Sequence, residues 1–477
     1  MLFNSIAFGV FLPLVFLIYW SLSKANLKIQ NALLILVSYI FYGWWDWRFL
    51  FLIFASSLAD YLIGPRLEDE TNPRRRKTLL ALSLIVNLGI LGFFKYFDFF
   101  IDSAADFISL FGFKPNVPSL RIILPVGISF YTFQTLSYTL DIYRRQIKST
   151  RDPLAFFAFV SFFPQLVAGP IERAKDLLPQ FTIPREFDQA NARDGLRQMA
   201  WGFFKKMVIA DNMAPHVQEI YGNPGNQDSL TLVLGTFFFA VQIYGDFSGY
   251  SDIAIGSARL FGFSLRRNFA YPYFSRDIAE FWRRWHISLS SWFRDYVFIP
   301  LGGNRCSMAT QIRNIFITFT VSGLWHGANW TFVIWGALNG LYYLPVMLRG
   351  KQKSHTDLPA EGRLFPGFGE GISICTTFAL TLLAWVFFRA ESVTQAFSIL
   401  GRIVTVAPSW HDKGIYLEPL ALALVAGMVE WLQRGKQHGL DIQWQPLVVR
   451  WPVYVLLITT ILVFGNFGST EFIYFQF

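Results

Sequence analysis

Residues 5–22, SIAFGVFLPLVFLIYWSL, run for 18 positions without a charge, and the reading of this stretch decides the fold. A helix needs about 20 apolar residues to cross a hydrocarbon core of ~30 Å, so the run is close to a full span. No cation precedes it, Lys24 and Lys28 follow it, and no small-residue cleavage site comes after. It therefore reads as a retained transmembrane helix with its N-terminus outside, not as a removed leader. Similar runs recur at 29–44, 49–63, 79–97, 122–142, 230–244, 312–324, 330–347, 372–388, 417–431 and 452–464, with a short one at 156–168. The expectation is an all-α polytopic membrane protein with about 11–12 transmembrane helices.

Composition agrees. Of 477 residues, 53% are hydrophobic and only 15% charged, against about 25% charged in soluble domains. A barrel is excluded because its strands would alternate apolar and polar residues, whereas these runs are apolar all round. The net charge of +9 does not point to nucleic acid, because the cations sit in short loops between apolar runs. Lys24/Lys28, Arg74–Lys77, Arg144/Arg145/Lys148/Arg151, Arg266/Arg267 and Arg349/Lys351/Lys353 are all expected on the cytoplasmic side. Between 156 and 221 the alternation of sides fails. A Pro-broken run (Phe162-Phe163-Pro164), then Ala168-Gly169-Pro170 and a basic stretch through Lys205-Lys206, suggests a re-entrant or interfacial element. No repeat or composition shift divides the chain, so a single membrane-embedded domain over 1–477 is expected. Cys306 and Cys375 form neither a disulfide framework nor a metal-ligand spacing, and no metal is expected.

Polar and ionisable residues gather between about 240 and 340, where burial in a membrane makes them functional candidates. Tyr244-Gly245-Asp246-Phe247-Ser248-Gly249-Tyr250-Ser251-Asp252 sets two carboxylates six residues apart, read as a helix end or as the polar wall of a substrate tunnel. The segment 281–296 (FWRRWHISLSSWFRDY), taken as one helix, puts Phe281, Trp285, Leu289 and Trp292 on one stripe and Trp282, His286 and Ser290 on the next. Such a helix suits a membrane boundary, with His286 either packed or functional. In Ser322-Gly323-Leu324-Trp325-His326-Gly327-Ala328-Asn329-Trp330, small residues leave room beside His326, and Asn329 can hydrogen-bond nearby. The other histidines, His216, His355, His411 and His438, read as solvated. No phosphate loop, G-x-S-x-G elbow or H-E-x-x-H motif is present.

These blocks, with Leu124–Phe133 (LPVGISFYTF), Phe163–Pro170 (FPQLVAGP) and the ending FIYFQF, resemble the membrane-bound O-acyltransferase family. The likeness is to its bacterial, alginate O-acetylation branch. That resemblance implies a ring of transmembrane helices around a central tunnel, His326 as the catalytic histidine and His286 as the second functional one. It also implies acetyl-CoA as cytoplasmic donor, periplasmic acetyltransferase partner proteins and an extracytoplasmic polysaccharide acceptor such as alginate, in a bacterial inner membrane. No permanently bound cofactor is implied. Chemistry then suggests His326 as general base, with Asn329 or backbone amides at the oxyanion, and Trp325, Asp246 and Tyr250 around the substrate. Arg283, Arg284 and Arg294 would meet either CoA phosphates or lipid headgroups. A non-catalytic carrier for polysaccharide or lipid, and an acyltransferase with a lipid or teichoic-acid-type acceptor, remain as alternatives.

Overall fold

The computed structural model describes residues 1–23, 26–113, 115, 120, 122–350, 355–411, 413–468 and 472–475. Lys24, Lys351, Lys353, Gln476 and Phe477 lie outside the described residues. Helices account for the ordered structure and no strand occurs among the described residues. Among the described residues, seven helices are long and apolar enough to cross a membrane: Trp47–Asp69, Pro73–Ser109, Ser229–Leu260, Trp330–Leu348, Phe368–Arg389, Lys413–Leu432 and Leu447–Phe464. Ile6–Ser21 and Leu27–Gly43 are shorter apolar helices. The run at 122–142 becomes a helix only from Ile128, because Gly127 adopts a left-handed conformation (φ 75°) that starts it late. Around the Pro-broken run the chain forms short pieces, Pro153–Ser161, Phe163–Leu166 and Ala174–Leu177.

The described residues fall into two compact units. The first comprises Met1–Leu2, Ile6–Ala192 and Ala258–Leu265. Its interior carries a hydrogen-bonded carboxylate: Asp60 accepts from Ser83, from Thr139 Oγ1 (2.8 Å) and from Asn87 Nδ2 (2.7 Å). Such saturation is what allows a polar group to stay buried among apolar helices. The buried Arg185 donates to Asn31 Oδ1 (2.9 Å) and lies 4.8 Å over the Phe263 ring.

The second unit comprises Phe3–Ser5, Arg193–Ser257 and Arg266–Phe477. Met308–His326 and Trp330–Leu348 form a tight antiparallel hairpin within it. Small residues permit the approach: a Cβ on Gly323 would stand 2.2 Å from the Phe332 carbonyl oxygen, and one on Gly336 2.4 Å from that of Phe319. Between helices in lipid, close backbone packing of this kind takes the place of hydrophobic driving force.

Candidate active site

The segment expected as one helix over 281–296 is two. Ile278–Arg284 ends, Ile287–Phe293 begins, and His286 between them has φ 43° and ψ 55°. Left-handed backbone is costly for a residue with a side chain, so the periodicity of the aromatic stripes does not reveal it. Hydrogen bonds hold it from both sides: Ala270 N–H donates to Arg284 O (2.9 Å) and Ile287 N–H to Asn268 O (2.8 Å). The break turns the fully buried His286 ring inward.

Asn268 then fixes the imidazole. Its Oδ1 lies 3.1 Å from His286 Nδ1 and accepts from Ser288 Oγ (2.9 Å) and Ser288 N–H (3.3 Å), while its Nδ2 donates to Ser251 Oγ (3.1 Å). Since that oxygen can only accept, Nδ1 must carry the proton. Nε2 keeps its lone pair, and it is buried with no hydrogen-bond partner among the described residues. Burial pushes the His286 pKa down to about 3, so the ring is neutral. Phe247 packs edge-on at 4.6 Å between ring centroids.

His326 closes the Met308–His326 helix and is also buried. Its ring centroid is 6.5 Å from that of His286. Around it stand Trp325 (4.9 Å), Trp335 (5.1 Å), Phe388 (5.4 Å) and Tyr474 (5.5 Å). Two imidazoles from separate blocks of sequence thus share one aromatic chamber.

The other expected site residues are placed differently. Trp325 belongs to the chamber, 6.1 Å from His286 as well. Asp246 and Tyr250 are not at a helix end but inside the Ser229–Leu260 helix, which runs on because buried cations neutralise its carboxylates. Lys206 Nζ is 2.9 Å from Asp246 and 2.8 Å from Asp211; Lys205 Nζ is 2.7 Å from Asp252. Lys205 and Lys206, expected in a basic interfacial stretch, are therefore buried. Asp246 Oδ2 also accepts from Ile473 N–H (2.7 Å), and the Tyr250 ring packs at a tilt against Phe472 (4.7 Å). These two residues anchor the chain end that brings Tyr474 beside His326.

Asn329 caps the Trp330–Leu348 helix: its Oδ1 accepts from Thr331 N–H (3.0 Å) and its Nδ2 donates to Glu391 O (3.1 Å). Its amide is spent on structure. Arg284 pairs with the buried Glu280 (2.8 Å), next to Arg276, which also binds Glu280 (3.0 Å) and Asp357 (3.0 Å). The hydrogen bond from Arg276 holds the Asp357 carboxyl below its usual range. Arg283 is exposed and donates to His355 O (3.2 Å); Arg294 is exposed and pairs with Asp295 (2.7 Å). His438, expected to be solvated, is buried, with Nε2 3.2 Å from Asp194. Sequence reasoning passed over Asn268, Trp335, Phe388 and Tyr474; only Tyr474 carried a signal, as part of the quoted chain end.

The sequence profile of the membrane-bound O-acyltransferase family matches residues 143–384, which include both histidines. Over its whole length the chain is 35% identical to the whole of the probable alginate O-acetylase AlgI of Pseudomonas putida. The chain belongs to the membrane-bound O-acyltransferase family. It is thus a multi-pass membrane enzyme, an O-acyltransferase, and the carrier reading gives way. A peptidoglycan O-acetyltransferase of Helicobacter pylori is 36% identical, with 85% of this chain and 80% of that one aligned. A teichoic acid D-alanyltransferase of Bacillus subtilis is 29% identical over 49% of this chain and 60% of its own length.

Proposed function

We propose that this acyltransferase moves acetyl from cytoplasmic acetyl-CoA across a bacterial inner membrane toward an extracytoplasmic polysaccharide of the alginate type. Its N-terminus is then extracytoplasmic, and periplasmic acetyltransferase proteins complete the transfer. The pairing of two buried imidazoles 6.5 Å apart, one locked with its Nδ1 proton on Asn268, carries this reading. His326 acts as general base. As it takes the proton of the acceptor hydroxyl, the oxygen attacks the thioester carbonyl carbon. The new C–O bond forms, the C–S bond breaks, and the proton passes to the leaving thiolate to give free CoA. Neutral imidazole suits this step at physiological pH, and general-base catalysis contributes about 10²–10⁴ in rate. His286, neutral and fixed, orients the reacting group with its Nε2 lone pair. Arg283 and Arg294, on the exposed side, meet the CoA phosphates.

The relative named for peptidoglycan is 36% identical and those named for alginate 35–41%, which makes peptidoglycan the second acceptor to test. The test is purified full-length protein in proteoliposomes with radiolabelled acetyl-CoA, each polymer and the partner proteins. Release of CoA and labelling of alginate, both lost in His326→Ala, support the reading. Undiminished transfer by well-folded His326→Ala overturns the base assignment, and labelling of peptidoglycan alone overturns the acceptor.

A further inference from the structure

A cavity of about 860 Å³ is lined by the Phe368–Arg389 and Leu417–Leu432 helices, with Phe237–Gly245 of the long helix behind them. That volume falls within the range of dedicated ligand pockets, about 300–1,000 Å³. Its wall is carbon almost throughout, with Phe378, Leu420, Ala423 and Gly427 among the lining residues.

Two features say what fills it. At the rim, Leu424, Met428 and Leu432 both line the cavity and stand exposed on a spanning helix. In the bilayer that face meets lipid, so a hydrocarbon chain enters without leaving hydrocarbon, whereas a water-soluble ligand would have to cross it. From Leu420 to Glu430 the wall runs ten helical residues, about 15 Å at 1.5 Å each, close to the hydrocarbon depth of one leaflet, ~15 Å.

The deep polar end is almost satisfied internally. Tyr244 donates to Glu430 (2.8 Å), and Lys205 is paired with Asp252 (2.7 Å). Tyr271 is the exception: it lines the cavity, its hydroxyl is buried, and that hydroxyl has no hydrogen-bond partner among the described residues. A neutral polar group such as an ester carbonyl suits that place better than a further charge. The cavity is also not the acyl-transfer chamber. The rings of Tyr244 and Tyr273 pack on one side against Trp285 (6.2 and 5.8 Å), and Trp285 packs on to Trp385 (5.1 Å) beside Trp335.

We propose that this cavity holds one acyl chain of a bilayer glycerophospholipid as a resident ligand, its chain along 420–428 and its ester end at Tyr271. An apolar void of this size left empty would forfeit dispersion contacts along its whole wall.

Full-length protein in nanodiscs containing phosphatidylethanolamine with a diazirine in the acyl chain tests this by photocrosslinking and peptide mapping. Adducts on 420–428 and 374–378 should exceed those on Leu447–Phe464, a helix still less buried than either of these, by about tenfold. Filling the cavity with Ala423→Phe and Gly427→Phe should remove the former and leave the latter. Equal labelling of both regions, or labelling indifferent to the filled cavity, overturns the proposal. Should the filled variant not fold, Cys375 in the lining serves as reporter in a Cys306→Ser background. Its reaction with an N-alkylmaleimide should be slowed when dioleoylphosphatidylethanolamine is returned to delipidated protein, and a rate unchanged by lipid overturns the site.

Discussion

Two clusters of buried polar groups in the second unit were formed from similar materials and do opposite things. Around the long helix, Lys205 meets Asp252 and Lys206 is shared by Asp246 and Asp211, all within 2.7–2.9 Å, so each carboxylate has a cation beside it. Around His286 there is no such closure: it spends Nδ1 on Asn268 and keeps an uncommitted lone pair on Nε2. The first arrangement is what burial demands of charge. The second leaves a neutral imidazole nitrogen unpaired inside the fold, a difference that burial, common to both clusters, does not reveal.

That contrast can be broken from either side. The largest effect is expected for His326→Ala: acetyl transfer in proteoliposomes falls by about 10²–10⁴ while the yield and melting of the folded protein hold. Lys206→Met should do the reverse, stranding Asp246 and Asp211 and costing about 3–5 kcal/mol of stability, read as thermal unfolding in detergent. Adding Asp211→Asn and Asp246→Asn should recover most of that loss; if it does not, the cluster does more than compensate charge. Asn268→Ala removes the acceptor that sets the His286 tautomer, a hydrogen bond worth about 0.5–1.5 kcal/mol. We expect kcat to fall by up to about tenfold with KM unchanged, and Asn268→Asp, which keeps an acceptor, to restore it.

The last test is a pH dependence. The folded pKa of His286 is depressed to about 3, against about 6.5 unfolded. Its neutral burial therefore adds no penalty above pH 6.5, and stability is lost as pH falls from there toward 3, because only the unfolded state takes up the proton. His286→Gln should flatten that part of the melting-temperature profile.

Much of the fold was legible because hydropathy is a local property. The runs at 330–347, 372–388 and 452–464 became the helices Trp330–Leu348, Phe368–Arg389 and Leu447–Phe464, the last two starting a turn or so earlier than expected. The reading failed where distant partners rewrite local polarity. The helix expected to stop at Tyr244 continues to Leu260, since Lys205 and Lys206 lie far upstream in sequence and hydropathy cannot see them cancel Asp252 and Asp246. His438 looked solvated for the same reason, its partner Asp194 being 244 positions away.

The amino-acid order alone determined that this chain is a helical membrane protein and singled out two histidine blocks, because both follow from residue type over short windows. Only tertiary structure decided that the two rings share one chamber, that the helix breaks at His286 to turn it inward, and which of its nitrogens is free to act. Those depend on hydrogen bonds from Asn268 and Ala270, more than a dozen residues away, and a backbone conformation strained in isolation is adopted only when such partners hold it.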